Sequence, residues 1–172
     1  MTMTHYNEDI VKQEIEELKR LSVEFSEFYD FDLNDNEISL KISKKLAENK
    51  EMKYVPAYVF DICLQNERIG LCDIRIGYNE GIYYGGNIGY QVDEKFRGNG
   101  YAVRAVKLLF EVARKHKMTE IHISNSLDNI GSVRVCQKLG AKLHRIVELP
   151  LDNNMRVEDN EVYKNLFIVK VD

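Results

Sequence analysis

Apolar residues recur at Val11, Ile15, Leu18, Leu21, Phe25 and Phe28, with Glu and Lys between them. That spacing predicts a helix over residues 7–29. Asn7 is placed to cap it, and Glu8 and Asp9 suit its first turn. The aromatic end, from Phe25 to Phe31, reads as core or as a pocket wall, core being favoured. After a polar break at 33–36, Ile38, Ile42 and Leu46 predict a second helix over about 36–49, capped by Asp35 or Asn36. Residues 55–65, 69–78 and 83–92 are rich in β-branched and aromatic residues and are separated by turns at 66–67 and 79–81. They predict an antiparallel meander. Gly85, Gly86 and Gly89 inside the third strand point to a bulge or to close approach of another backbone or a ligand.

Ala102, Ala105, Val106, Leu109, Phe110 and Ala113 then follow helical spacing, with Arg104, Lys107, Glu111 and Lys115 on the opposite face. Ile121 and Ile123 alternate in a short strand over 120–124. Strand, helix and strand in that order predict a βαβ unit with parallel strands, and such sheets bind ligands beyond the carboxyl ends of their strands. A helix capped by Asp128 or Asn129 runs to Leu139, with Gly140 ending it. A strand over 142–149, a polar loop over 150–160 and a strand over 163–171 complete the chain. No linker or repeat divides it, so residues 1–172 read as a single domain.

Composition narrows the classes. With 44% hydrophobic and 30% charged residues the chain is a globular, soluble type. No apolar run approaches the roughly 20 residues of a membrane span, and no signal peptide is read at the N-terminus. Cys63, Cys72 and Cys136 are too scattered for a disulfide framework, which fits a cytoplasmic setting. A net charge of -4 without a basic block argues against nucleic acid and favours a cationic substrate only weakly. The four histidines and three cysteines show no metal-ligand spacing.

The chemistry concentrates between the third strand and the helix after it. Arg97, Gly98, Asn99, Gly100, Tyr101 and Ala102 form a glycine-bearing turn into a helix N-terminus. Orphan N–H groups and the helix dipole suit such a turn to an anion, with a plain strand-to-helix turn as the equal alternative. Gly98 and Gly100 allow close backbone approach, and Arg97 adds a forked cationic donor. The spacing is neither a Walker A loop nor the dinucleotide fingerprint.

These six residues match the R/Q-x-x-G-x-G/A signature of the GNAT superfamily of N-acetyltransferases, which the chain resembles. Ile88 to Val92 and the stretch from Asn129 to Gly140 occur in the family's order and spacing. They look most like the branch containing ribosomal-protein N-terminal acetyltransferases. The resemblance covers about 55–145 well and is weak for 1–54 and 150–172. It implies an α/β (α+β) fold with a mixed, mostly antiparallel splayed sheet of about six or seven strands and about four flanking helices.

By resemblance the co-substrate is acetyl-coenzyme A, with no metal. Its pyrophosphate would rest on Arg97, Gly98, Asn99, Gly100, Tyr101 and Ala102. The pantetheine arm would pair with the strand edge at Tyr90, Gln91 and Val92, near Asn129 and Ser132. Direct attack by an amine would pass through a tetrahedral intermediate stabilised by a backbone N–H near Val92. Many family members place a tyrosine acid seven residues after the Asn129 position, where this chain has Cys136. A thiol with a pKa of about 8.5 can protonate the leaving thiolate. Water and Ser132 are the alternatives, with Cys136 then a small buried packing residue. Cys136 as a nucleophile with His122 or His144 is less favoured. Glu94, Asp73, Tyr84 and Tyr90 are candidate bases. The acceptor would be a protein N-terminus, slightly ahead of a polyamine, amino sugar or antibiotic. A non-catalytic acyl-CoA-binding module and a nucleotide-phosphate binder are the rival readings, and the chain could be a monomer or a homodimer.

Overall fold

The computed structural model describes residues 3–21 and 23–171, apart from the side chains of residues 3–7. Helix α1 spans Met3–Lys19. Strands β1 (Leu33–Asn34), β2 (Ile38–Leu46), β3 (Ala57–Leu64) and β4 (Glu67–Arg75) follow. A short helix α2 (Glu80–Gly85) leads into β5 (Ile88–Val92). Then come α3 (Tyr101–Lys115), β6 (Glu120–Ser126), α4 (Ile130–Lys138), β7 (Lys142–Glu148), α5 (Asn154–Asp159) and β8 (Tyr163–Lys170).

The strands form two sheets, one ordered β1-β2-β3-β4-β5 and one ordered β6-β8-β7. Every pairing within them is antiparallel. The meander therefore forms as expected, and the splayed α/β class holds. The helix α3 does connect β5 to β6, but those two strands do not share a parallel ladder. They meet at an isolated bridge between Gly86 and Ile123 and then belong to different sheets.

Asn87 holds that meeting point. Its backbone N–H donates to the His122 carbonyl at 2.6 Å, and its own carbonyl accepts from Arg75 N–H at 2.7 Å. Its side-chain amide donates to the Arg75 and Gly77 carbonyls at 3.1 and 3.0 Å, while Oδ1 accepts from His122 N–H at 2.9 Å. Asn87 is fully buried, so each of these bonds replaces water the group has lost. Gly86 permits the contact: a Cβ there would stand 2.8 Å from the His122 carbonyl oxygen.

Four expected elements differ. The helix expected over 7–29 ends at Lys19. The backbone at residue 7 lies inside α1, and the Asn7 side chain is outside the described residues. Phe25, Phe28 and Phe31 instead leave an extended arm to pack around Tyr58 and His116, with centroids 5.0–5.5 Å apart for Phe25–His116, Phe28–Tyr58 and Phe31–Tyr58. Core was the right reading for them, although their element was not. The helix expected over 36–49 is β2. Ile38, Ile42 and Leu46 lie four apart, and four is also a multiple of two. Leu40, buried with Ile38 while Lys41 is exposed, shows the strand period. Asp35 caps after all, but caps a turn, its Oδ1 accepting from Glu37 and Ile38 N–H at 3.1 and 2.9 Å. The strand expected from residue 83 begins at Ile88, because Asn79 caps α2 through an Ile82 N–H bond of 2.9 Å. The expected loop over 150–160 contains α5, capped by Asn153.

Helix α3 matches its sequence pattern. Ala105, Val106, Leu109, Val112 and Ala113 are all fully buried against both sheets in the main core. A second cluster joins Ile15 and Leu18 of α1 to Tyr83, Tyr84, Val147, Leu149 and Leu166. No helix among the described residues is long and apolar enough to cross a membrane.

Candidate active site

Where β5 and β6 part, a cavity of about 750 Å³ opens between them. The β5 edge and the start of α3 form one wall, and the ends of β6 and β8 with α4 form the other. Of the residues singled out above, Tyr90, Gln91, Val92, Arg97, Gly98, Gly100, Tyr101, Ala102, Asn129 and Ser132 line it. Asn99 and Cys136 do not, and neither do Asp73, Tyr84 and Glu94 among the candidate bases, nor His122 and His144.

The glycine turn is built to approach a ligand. Gly98 and Gly100 have φ of +83° and +78°, and no protein atom lies within 4 Å of where a Cβ would be. Both conformations favour glycine, and a side chain would project into open space at the cavity mouth. Gly100 is the N-cap of α3 and has no side chain to offer its first-turn N–H groups, so those donors remain for an anion. Asn99 braces the turn from outside, its amide donating to the Phe96 and Arg97 carbonyls at 3.0 and 3.3 Å. Arg97 Nε donates to the Val92 carbonyl at 2.8 Å, which ties the turn to the strand before it.

Two further properties suit a phosphorylated, extended ligand. Strand β5 ends the order of its sheet, so past Asn87 its outer edge faces the cavity rather than another strand. Such an edge offers a row of backbone donors and acceptors to a chain laid alongside. The charged residues of the lining are Arg97, Arg134, Lys138 and Lys164 against Glu161 alone. A net positive wall in a chain of net charge -4 concentrates anions there.

A polar line crosses the cavity. The Tyr90 hydroxyl and Ser132 Oγ are hydrogen-bonded at 2.7 Å. Asn125 Nδ2 donates to Ser132 Oγ at 3.2 Å and to Cys136 Sγ at 3.6 Å, and Asn165 Nδ2 donates to Asn125 Oδ1 at 3.0 Å. Burial pushes the Tyr90 phenol up to about 12, against the Ser132 hydrogen bond. Burial also pushes the Cys136 thiol up to about 11, against the bond from Asn125. Cys136 is fully buried behind Asn125 and faces the core instead of the cavity. Asn129 Oδ1 accepts from Ser132 N–H at 3.1 Å, so this residue caps α4 and lines the cavity at once.

Sequence reasoning passed over Asn125, Asn165, Glu161 and Lys164. The first two carried a signal: a polar residue in phase with Ile121 and Ile123, and another inside an apolar strand. Glu161 and Lys164 carried none. Ser126 Oγ donates to Glu161 Oε1 at 2.8 Å. Lys164 Nζ lies 2.7 Å from Oε2 as an ion contact outside hydrogen-bond alignment. Burial opposes ionisation of Glu161, but Lys164 and Ser126 hold its carboxyl below the usual range. Among the described residues no cluster of His, Cys, Asp or Glu is placed to hold a metal ion.

Known proteins share this architecture. The ribosomal L7/L12 α-N-protein acetyltransferase RimL, solved with coenzyme A, superposes with a TM-score of 0.58 at 16% identity over 79% of this chain and 95% of its own. An acetyltransferase from Salmonella typhimurium that modifies the N-terminal serine of L7/L12 gives 0.53 at 22% identity over 71% and 67%. The microcin C7 self-immunity acetyltransferase MccE, solved with acetyl-CoA and AMP, gives 0.52 at 18% over 72% and 64%. No curated protein sequence matches the chain. Residues 10–142 match the family model of the acetyltransferase (GNAT) domain, and the chain therefore belongs to the GNAT acetyltransferase family.

Proposed function

We propose that this cavity binds acetyl-coenzyme A and that the protein transfers the acetyl group directly to a primary amine. The observation that carries the reading is the joining, in one cavity, of an open glycine turn at an uncapped helix start with an unpaired strand edge. The N–H groups from Gly98 to Ala102 and the Arg97 guanidinium hold the pyrophosphate. Tyr90, Gln91 and Val92 pair with the pantetheine arm, and Asn129 bonds it from the other wall. A backbone N–H of β5 beside the thioester supports the developing oxyanion.

The departing thiolate needs a proton. The Tyr90–Ser132 pair is the donor we assign, because both residues line the cavity and share a 2.7 Å hydrogen bond. Cys136 is the weaker assignment, since it is fully buried, its thiol accepts from Asn125, and it does not line the cavity.

For the acceptor we favour a protein N-terminus over a polyamine, amino sugar or antibiotic. The support is the likeness to two enzymes described as acting on ribosomal L7/L12. Three buried free cysteines suit a reducing cytoplasm. Residues 1–172 are read as one acetyltransferase domain. The test is coenzyme A release from acetyl-coenzyme A in the presence of N-terminal peptides and small amines, beside calorimetric binding of coenzyme A. Binding with release supports the enzyme, and binding with no release across the panel supports an acyl-CoA-binding module instead.

A further inference from the structure

Gly89 lines the cavity, yet its absent side chain points elsewhere. Along β4, Cys72 and Ile74 are buried in the core, and Asp73 and Arg75 take the opposite face. Asp73 is the cross-strand partner of Gly89. A Cβ on Gly89 would stand 2.6 Å from Asp73 Oδ1, closer than any side chain can tolerate. The Asp73 carboxylate therefore lies over the β5 backbone at the one residue that lets it.

Its orientation is set from behind. Arg75 Nε holds Asp73 Oδ2 at 3.0 Å. Arg75 Nη1 is itself fixed by the carbonyls of Gly85 and Gly86 at 3.2 and 2.9 Å. That arrangement turns Oδ1 toward Gly89. Asp73 lies behind Gly89 and outside the cavity lining, whereas Glu161, the carboxylate that does line the cavity, has both of its oxygens engaged by Ser126 and Lys164.

The place along β5 matters as much as the geometry. A chain laid on the strand edge from the glycine turn passes Val92 and Tyr90 and reaches Gly89 and Ile88, before Asn87 closes the gap. On the reading given under Proposed function, the thioester lies at that narrow end. We propose that Asp73 Oδ1 seats the ammonium group of the acceptor at Gly89, from the sheet face opposite α3, and takes its first proton. The carboxylate removes one proton from R–NH3+. The freed lone pair forms the N–C bond to the acetyl carbonyl carbon, whose π electrons move onto oxygen, and the C–S bond breaks as the carbonyl re-forms. The sulfur leaves as thiolate and takes up one proton through Tyr90 and Ser132, matching the second proton lost by nitrogen. Asp73 then returns its own proton to solvent.

Burial raises the Asp73 carboxyl, with Arg75 pulling the other way, and a raised carboxyl is the better base near neutrality. The cross-strand neighbours Gly89 and Val59 do not titrate, so Arg75 is the charge that faces it.

The test uses Asp73→Asn and Gly89→Ala in the full chain, with coenzyme A affinity measured by calorimetry and kcat/KM for amines measured from pH 6 to 9. We expect Asp73→Asn to lower kcat/KM about 100-fold at pH 7, with coenzyme A affinity unchanged and the loss shrinking as pH approaches the amine's own pKa. Gly89→Ala displaces the carboxylate without removing it and should reproduce the loss. Activity of Asp73→Asn within threefold of wild type, a loss equal at every pH, or loss of coenzyme A binding together with activity would each overturn the proposal. A wild-type protein that does not bind coenzyme A overturns the cavity assignment itself, and this one with it.

Discussion

At the scale of single residues, Asn87 determines where the cavity begins. Replacing it with alanine strips partners from the buried carbonyls of Arg75 and Gly77 and from the N–H of His122. Each buried group left unpaired costs about 1–3 kcal/mol. Asn87→Ala should therefore lower the melting temperature by several degrees, about 2–4 °C per kcal/mol at this size, which differential scanning calorimetry reads directly. Proton return separates two other residues. Cys136→Ala should leave kcat within about twofold, since the thiol faces the core. Ser132→Ala should lower it at least tenfold, within the usual range for losing a proton-transfer group. Equal rates for the two variants would contradict the assignment. The turn at Gly98 and Gly100 was legible in the sequence because its function is local: two glycines before a helical period state a backbone conformation outright. Asn87 was not legible, because its partners lie 10–35 positions away. Cys136 occupied the right motif position, but only packing reveals which side of α4 the cavity occupies.

At the scale of elements, the N-terminal region is held by two polar anchors. Glu14 on α1 accepts from Arg145 Nε at 2.9 Å and from the Tyr83 hydroxyl at 2.6 Å, with His144 Nε2 at 3.0 Å. Glu14→Ala leaves a half-buried Arg145 and a buried Tyr83 without their partner, and should cost about 1–3 kcal/mol. Hydrogen exchange should show the loss as faster exchange in α1 and not in α3. The aromatic arm after α1 is stitched to the end of α3 through His116. Glu24 N–H donates to the His116 carbonyl at 2.8 Å, and His116 Nδ1 lies 2.8 Å from the Glu24 carbonyl. A carbonyl only accepts, so Nδ1 carries the proton and neutral Nε2 accepts from Tyr58 at 2.8 Å. Tyr58 in turn accepts from Tyr29 N–H at 2.9 Å.

Burial lowers the His116 pKa, against the bond to Glu24. Its folded value is below its unfolded value, so between the two the unfolded chain binds more protons. The contribution is complete above the unfolded value of about 6.5 and is lost as pH falls toward the folded one. The melting temperature should fall between pH 7 and 5.5, and His116→Gln should fall less over the same interval. Parallel curves would contradict this. Sequence periodicity identified α3 and α4 because each has one buried face. It failed for β2, where apolar residues four apart satisfy both periods, and for the aromatic arm, whose order comes from Tyr58 and His116.

At the scale of the whole molecule, the two antiparallel sheets diverge from one vertex and α3 spans them. Splaying exposes a strand edge that an ordinary sheet would pair, and the cavity puts that edge beside an anion-binding turn. The class of sheet was legible from the alternation of strands. The separation into two sheets was not, because strand–helix–strand order alone implies a paired parallel unit. The positive cavity wall also escaped the net charge, since it gathers Arg97, Arg134, Lys138 and Lys164 from three separate segments. A ligand that binds only the folded state stabilises it by mass action. Coenzyme A at 100 times its dissociation constant should add about 2.7 kcal/mol and raise the melting temperature.

The most direct test of the central claim is free-thiol release from acetyl-coenzyme A, followed continuously as a peptide with a free N-terminus is titrated. Direct transfer to an amine gives release that saturates in both reactants, requires an unblocked amine and is competed by free coenzyme A. Coenzyme A binding with no amine-dependent thiol release, across peptides and small amines alike, would contradict it.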